Sequence, residues 1–215
     1  MYETIMELPL FKGIATDQLS ALLEKTSVDF VNFADGETLT KAHQKVEALD
    51  FILSGKVLQR AGLDNFDIKV EAILGPGSVI GVLNLFGLDT TYIVDSRALG
   101  KTSLMRIGKS DYMNILRSDS IYILNFVNYL SAGAQKGSHI IRKSKGDAIG
   151  RSLEILAYSV VSRLSETIKV CGEDSEIARY CGCSVRQLEE WKEREAASGK
   201  IRLRPGEIIL KHPEL

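Results

Sequence analysis

Residues Ser175–Lys192 read SEIARYCGCSVRQLEEWK, and the spacing within them predicts a helix, a tight turn and a second helix. Ile177, Ala178 and Cys181 recur at helical spacing and give the first helix an inward face. Gly182 suits the left-handed backbone of a tight turn, and Cys183 tucks inward after it. Ser184 is the cap of the second helix, with Gln187 three residues on to complete a capping box. Leu188 and Trp191 point back at the first helix. Val185, Arg186, Gln187, Glu189, Glu190 and Arg194 are left to face outward. A helix pair with a small residue near the crossing and a polar second helix meets the needs of a DNA-reading helix-turn-helix. A small helical hairpin in a core satisfies the same spacing.

What flanks this stretch shifts the balance. After Gly199, a natural stop, residues 200–211 read KIRLRPGEIILK, two short runs around Pro205-Gly206 that predict a β-hairpin. A helix-turn-helix followed by a hairpin is a winged helix-turn-helix. Lys200, Arg202 and Arg204 fall at period two, so they share one face of the wing and suit phosphate contacts. Ser175 and Ser184 are candidates for phosphate hydrogen bonds. Upstream, Ala148–Thr167 reads as a helix with Ile149, Leu153, Leu156, Val160 and Leu164 on one face, the back wall of this domain. Ser144-Lys145-Gly146-Asp147 is a candidate hinge.

Before the hinge, Ser120–Ser144 reads as one long helix. Its second half is rich in small residues, and Gly133 and Gly137 each weaken an isolated helix by about 1 kcal/mol relative to Ala. Such a helix needs a partner. Ile121, Leu124, Val127, Ala134, Ser138 and Ile141 are the residues assigned to a parallel homodimer seam, the alternative being a helix lying on its own β domain. Lys109–Arg117 is a short helix. From Val28 to about Ile107 the pattern changes to short β runs separated by turn residues, which argues a barrel, roll or sandwich. DFILSGKVLQR (50–60) holds Ser54-Gly55 between two apolar stretches, and further strands are expected at Lys69–Leu74, Ser78–Phe86, Thr91–Val94, Arg97–Leu99 and Ser103–Ile107. Residues 1–27 read as helical and amphipathic, with Thr16 capping a helix whose inner face is Leu19, Leu22 and Leu23.

At 215 residues, 45% hydrophobic and 26% charged, the chain is ordinary for a soluble protein of one large domain or two modest ones. No apolar run approaches the ~18 residues of a membrane span, and the first residues, with an acid at Glu3, do not read as a secretory signal. No membrane association and a cytoplasmic location are expected. The three cysteines, Cys171, Cys181 and Cys183, are odd in number and clustered, which reads as buried, reduced thiols. Their spacing is not a zinc pattern, and no metal site is expected. Net charge is −1. Residues 1–135 hold 12 Lys and Arg against 16 Asp and Glu, whereas residues 136–215 hold 15 against 12. Phosphate contacts supply much of DNA affinity, so so weakly basic a reader is expected to bind weakly or as a dimer. No nucleophile–base pair, metal constellation or phosphate-cradling loop is present, and GPGSVIG (75–81) is explained by turn chemistry. An enzyme is not expected.

The order is β-roll, long helix, winged helix-turn-helix, and it resembles the Crp/Fnr family of bacterial transcription regulators over nearly the whole chain. Five stretches carry the resemblance in order: PLFKGIATDQLSALL, DFILSGKV with Gly55, LGPGSVIGVLNLF, RALGKTSLMRIGKSDYMNIL and EIARYCGCSVRQLE. The resemblance implies an α+β chain. Residues 1–119 would form a double-stranded β-helix (a jelly roll like the cyclic-nucleotide-binding domain), 120–144 a dimerisation helix, and 145–215 the winged DNA-binding domain. It implies a homodimer on partly palindromic promoter DNA, RNA polymerase as a partner, and a small effector.

In the cyclic-nucleotide-binding members of that family a glycine is followed by a glutamate for the ribose and, about ten residues on, by an arginine-serine pair for the phosphate. Here Gly81 matches the glycine, Val82 stands at the glutamate, and Tyr92-Ile93 stands at arginine-serine. Arg97 lies at an odd offset from Tyr92, so strand alternation turns it to the other face. The candidate effector pocket is therefore Gly81, Val82, Leu83, Asn84, Tyr92 and Ile93, with cyclic AMP and cyclic GMP unlikely as ligands and the effector unknown. No cysteine precedes Cys171 to hold an iron–sulfur cluster; His43 and His139 read as surface histidines rather than haem ligands, and redox sensing by Cys171 or Cys183 is unsupported. On the second helix, the positions matching Val185, Arg186 and Glu190 carry arginine, glutamate and arginine in the best-known members. Here Arg186 can pair with a guanine, Gln187 can reach a base edge or phosphate, Val185 can touch a thymine methyl, and Glu190 can accept from cytosine or repel phosphate. The competing reading is a sensing or protein-interaction module whose acidic helix no longer reads DNA.

Overall fold

The structure, a computed structural model, describes residues 2–143, 147–160 and 167–211. The hinge expected at 144–146, Leu164, and the side chains of His139, Ile141 and Val160 lie outside the described residues. The chain packs as two compact units, residues 1–57 with 74–134 and residues 58–73 with 135–215.

The first unit begins with α1 (Tyr2–Met6), a single 3-10 turn at Pro9–Phe11 and α2 (Thr16–Lys25). Thr16 is not the cap of α2 but its first helical residue. The cap position is Ala15, whose N–H donates to Gln18 Oε1 at 3.3 Å, so the glutamine closes the turn without a hydroxyl opposite it. The strands that follow along the chain are β1 (Val28–Phe33), β2 (Thr38–Thr40), β3 (Ala48–Leu63), β4 (Phe66–Leu74), β5 (Val79–Ile80) and β6 (Asp95–Gly108), of which residues 58–73 of β3 and β4 belong to the second unit. In this unit β6 lies between β1 and β3, with β2 also on β6 and β5 on β3, an antiparallel roll of the jelly-roll type.

Two elements differ from their sequence reading for the same reason. Ser54-Gly55 does not separate two strands, and neither does Gly100-Lys101; β3 and β6 run straight through them. Gly55 has φ 83° and Gly100 φ 78°, which bends a strand without ending its ladder. At Gly55 the close approach is decisive, since a Cβ there would sit 2.4 Å from the Lys101 carbonyl oxygen and 2.7 Å from Thr102 Cα. Thr102 Oγ1 then donates to the Lys56 carbonyl at 2.9 Å, and Gly100 N–H to Asp35 Oδ1 at 2.7 Å. Gly55→Ala is expected to destabilise the roll by about 2–4 kcal/mol, the left-handed backbone and the overlap with β6 adding together; an unchanged urea midpoint would refute this. Conversely, the apolar Ser78–Phe86 gives only the two residues of β5, and Thr91–Val94 only a bridge between Thr91 and Lys45 before β6 begins.

The core of the roll is Leu8, Leu10, Phe11, Leu19, Leu49, Phe51, Met105 and Ile107 with Tyr112 and Ile115 of α3 (Lys109–Ser118), beside a second cluster of Ile52, Val57, Leu74, Ile80 and Leu104. From α3 the chain enters α4 (Ser120–Lys143).

The second unit holds α5 (Ala148–Val160), β7 (Thr167–Gly172), α6 (Asp174–Cys181), α7 (Val185–Ala197), β8 (Ile201–Arg204) and β9 (Glu207–Lys211). Thr167 does not close a helix begun at Ala148; it opens β7, whose alternation of Ile168 and Val170 with Lys169 and Cys171 was the available signal. The sheet order is β4–β7–β9–β8, antiparallel at each step from β4 to β8, and β4 is joined to the distal part of β3 by a two-residue turn at Asp64-Asn65. Ile68, Val70, Ala72, Ile168, Val170, Ile208 and Leu210 are buried along this sheet, as are Leu153, Leu156 and Ala157 of α5.

Candidate nucleic-acid interface and effector site

Gly182 sits between α6 and α7 with φ 67°, and the N–H of Cys183 returns to the Ala178 carbonyl at 3.0 Å. Ser184 Oγ accepts from Gln187 N–H at 3.2 Å while Gln187 Oε1 accepts from Ser184 N–H at 2.9 Å, a complete capping box. Ile177, Ala178, Leu188 and Trp191 are buried. Ser175, Ser184, Val185, Arg186, Gln187, Glu189, Glu190 and Arg194 are exposed. Asp147 fixes this pair of helices to α5: its Oδ2 accepts from Trp191 Nε1 at 2.6 Å and its Oδ1 from Gly150 N–H at 3.0 Å. Desolvation pushes the Cys181 thiol up to about 12, and burial also raises Cys171 and Cys183, so none is poised as a thiolate.

The cations singled out in the sequence divide into three groups. Arg186 Nε pairs with Glu190 Oε1 at 2.9 Å, an exposed pair of the kind that costs little to break. Arg194 Nε and Lys200 Nζ both hold the buried carboxylate of Glu195, each at 2.9 Å. The Lys200 hydrogen bond, with Arg194 beside it, holds the Glu195 carboxyl below its usual range, and the same bond raises the Lys200 ammonium. Lys200 stands in the turn before β8, and its ammonium is tied to Glu195 of α7. Arg202 and Arg204 alternate with Ile201 and Leu203, are exposed, and have no ion-pair partner among the described residues. From Glu173 to Lys200 seven carboxylates face five cations, and Lys192 is already paired with Asp174.

In the candidate effector segment, Gly81 and Val82 are tightly packed while Leu83 and Ile93 are exposed. Gly81 has φ 89°, and a Cβ there would come within 3.0 Å of the Ala48 carbonyl and of Val46, and 3.4 Å of Tyr92 Cε1. Val82, at the position of the expected ribose-binding carboxylate, is 4% exposed and part of the core. Tyr92 packs against both core clusters, and burial raises its hydroxyl to about 12. Leu83 and Ile93 point to solvent, and Asn84 Nδ2 approaches the Asp89 carbonyl at 3.4 Å. Arg97 is exposed between buried Ser96 and Ala98, on the outer face as strand alternation requires. Electrostatically, Tyr92 senses both Asp50 and Arg106. Sequence reasoning did not single out this pair: Arg106 Nε and Nη2 grip the two oxygens of Asp50 at 2.6 and 2.8 Å, and Asp50 is 1% exposed. The only signal for it was a charge at period two in each of two apolar strands.

Along α4, Tyr122 is buried, Ile121 is half-buried against the roll, and Phe126 stands edge-on to Phe86 at 5.8 Å. Ile123, Leu124 and Val127 face solvent at 49%, 58% and 49% exposure and line a shallow apolar depression with Ser120 and Ile121. Ser120, Leu124, Val127, Ser131, Ala134 and Ser138 are all exposed and follow one another at alternating steps of four and three, the a and d spacing of a coiled coil. No helix among the described residues is long and apolar enough to cross a membrane.

Residues 30–119 match the cyclic nucleotide-binding domain family. No curated protein matches the chain in sequence. Among solved structures, the chain is similar to the catabolite activator protein of Thermus thermophilus, with 21% identity, 94% of this chain and 93% of that one covered, and a TM-score of 0.53. It is also similar to the N-terminal domain of a transcriptional regulator from Streptomyces coelicolor A3(2), with 22% identity, 67% and 99% covered, and a TM-score of 0.51. These likenesses establish a shared fold, in the second case over the N-terminal part of the chain.

Proposed function

We propose that this chain is a homodimeric, sequence-specific DNA-binding transcription regulator of the Crp/Fnr type. The observation that carries the reading is the capped α6–Gly182–α7 pair followed by a hairpin with two uncommitted arginines, Arg202 and Arg204. α7 is the reading helix. Arg186, released from Glu190, addresses a guanine; Gln187 and Val185 flank it; Ser175, Ser184, Arg202 and Arg204 take phosphates. Arg194 and Lys200 serve mainly to hold Glu195. α4 pairs with its copy through Leu124, Val127, Ala134 and Ser138, and RNA polymerase is the partner on promoter DNA. The protein works in the cytoplasm and catalyses no reaction.

The roll is proposed to take an effector other than cyclic AMP or cyclic GMP, or none. Tyr92 fills the space beside Gly81, Val82 offers no acceptor, and the Arg106 guanidinium is committed to Asp50. Losing both charged anchors removes several kcal/mol from cyclic-nucleotide binding. Titration calorimetry with either nucleotide is expected to give no heat at micromolar concentrations; micromolar affinity would overturn the assignment.

The DNA reading is tested by selecting genomic fragments with the purified protein and with its Arg186→Ala variant. A two-fold symmetric motif is expected, with one base position relaxed and about 1–3 kcal/mol lost in the variant. Uniform weakening across sequences would show that Arg186 touches only phosphate. The seven carboxylates between Glu173 and Lys200 favour a second reading, a sensing or protein-interaction module that has given up DNA. Affinity that falls steeply with salt supports the first reading; no recovered fragment supports the second.

A further inference from the structure

The second unit contains a contact that a simple winged helix-turn-helix does not need. The tip of the β3–β4 hairpin folds onto the outward side of α6. Arg179 Nη2 donates to the Asn65 carbonyl at 2.8 Å, and its guanidinium lies over the Phe66 ring at 4.7 Å. Tyr180 meets the same ring edge-on at 5.3 Å. Asp67 N–H donates to Glu176 Oε2 at 3.1 Å, and Glu176 also pairs with Arg179 at 2.6 Å. A glycine makes the approach possible: a Cβ on Gly172 would sit 2.9 Å from the Asp67 carbonyl oxygen.

Sheet register fixes which end of the unit this tip occupies. Ile68 pairs with Gly172, Cys171 with Glu207, and Glu207 with Arg204. Gly172 N–H also donates to the Gly206 carbonyl at 3.1 Å. The hairpin tip and the Pro205-Gly206 wing turn therefore leave the sheet at the same end, two strand spacings or about 10 Å apart. That is the end from which α6 starts, and in a helix-turn-helix the first helix crosses the DNA backbone. The tip sets the Asp67 backbone against Glu176 in the first turn of α6, where Glu173 and Asp174 also lie, and it occupies Arg179. A phosphate backbone laid across α6 meets carboxylates and an arginine already in use.

We propose that the hairpin tip, Gly62–Asp67, is an autoinhibitory clasp that holds the winged unit in a form with low affinity for DNA. Both strands of the hairpin are continuous with the first unit through Val57 and Leu74, so a change in the roll has a covalent route to the clasp. The inference rests on the DNA reading above.

The test uses the full chain and a mixed-sequence duplex of about three helical turns at about 50 mM salt, where phosphate contacts are strongest. Phe66→Ala and Gly172→Ala each open the clasp, seen as lost hydrogen-exchange protection at the Asp67 amide. DNA affinity is expected to rise by about tenfold or more, within the usual range for coupling between sites. A variant carrying Asp67→Cys and Glu176→Cys locks the tip when oxidised and frees it when reduced; oxidation is expected to lower its affinity by a similar factor, with the parent protein unaffected. The proposal is overturned if opened and locked forms bind DNA as the parent does. If no form binds DNA although exchange shows the clasp open, the DNA reading fails and the inhibition fails with it.

Discussion

Arg106→Ala is expected to cost the roll about 1–3 kcal/mol, the penalty for leaving a buried acceptor without its partner, since the arginine side chain is itself 32% exposed. Asp50 on β3 is 1% exposed, and both of its oxygens are gripped by the Arg106 fork from β6. Truncating the arginine leaves the Asp50 carboxylate without its cation, hydrated only through the opening where the part-exposed guanidinium stood. That penalty, rather than the attraction lost, is what urea denaturation should report. The distinction is testable, because replacing both members by leucine removes the stranded charge along with the pair. The double variant is therefore expected to lose less than Arg106→Ala alone. If instead the double variant loses the sum of the two single changes, the pair is not coupled and the argument fails. Tyr92 reports on the same locus: its hydroxyl is raised by burial first and by Asp50 next. An absorbance titration of the Tyr92→Phe difference should place that hydroxyl far above an ordinary tyrosine's, and the roll should gain nothing from it near neutrality.

What could be read from the sequence was local. Gly182, Ser184 and Gln187 make their contacts within three or four residues, so the turn and its cap follow from spacing alone. The same is true of the Pro205-Gly206 hairpin. Gly55 and Gly100 show why the roll was harder: each signals positive φ, but whether the strand ends or bends depends on Lys101 and Thr102 facing Lys56 across the sheet. Lys200 falls at period two with Arg202 and Arg204, and spacing gave no sign that its ammonium is tied to the buried Glu195 five residues earlier. The clasp was not legible at all, because Asn65 and Arg179 are 114 residues apart and neither flanking segment has a pattern that names the other. Tyr92 gave half its meaning: the sequence sets a tyrosine there, but only the fold shows its ring packed beside Gly81 and against both core clusters. On α4 the helical period was plain, yet it took the roll to separate Ile121, packed inward, from Leu124 and Val127, which the roll leaves uncovered.

That uncovered face makes Leu124→Asp the change with the largest expected effect on function. In a parallel pair of α4 helices, residue 124 meets its own copy at the same level, so one substitution places two carboxylates against each other in an apolar seam. Loss of the two leucines and burial of like charges are expected to weaken the dimer by about three orders of magnitude, equivalent to about 4 kcal/mol. With the proposed pairing, sedimentation equilibrium should then find the parent dimeric and the variant monomeric at micromolar concentrations. On the proposed reading, in which two half-sites are read together, DNA affinity should fall with the dimer, while the circular dichroism of the chain stays unchanged: residue 124 is 58% exposed. Ile123→Asp is the control. Ile123 is just as apolar and nearly as exposed, but it stands beside the four-three seam rather than in it, where coiled coils accept charge. A Leu124→Asp protein that remains dimeric would mean that the helices do not pair through this face. Equal loss from both variants would mean that the whole apolar depression around Ile123, and not a coiled-coil seam, is what a second copy covers.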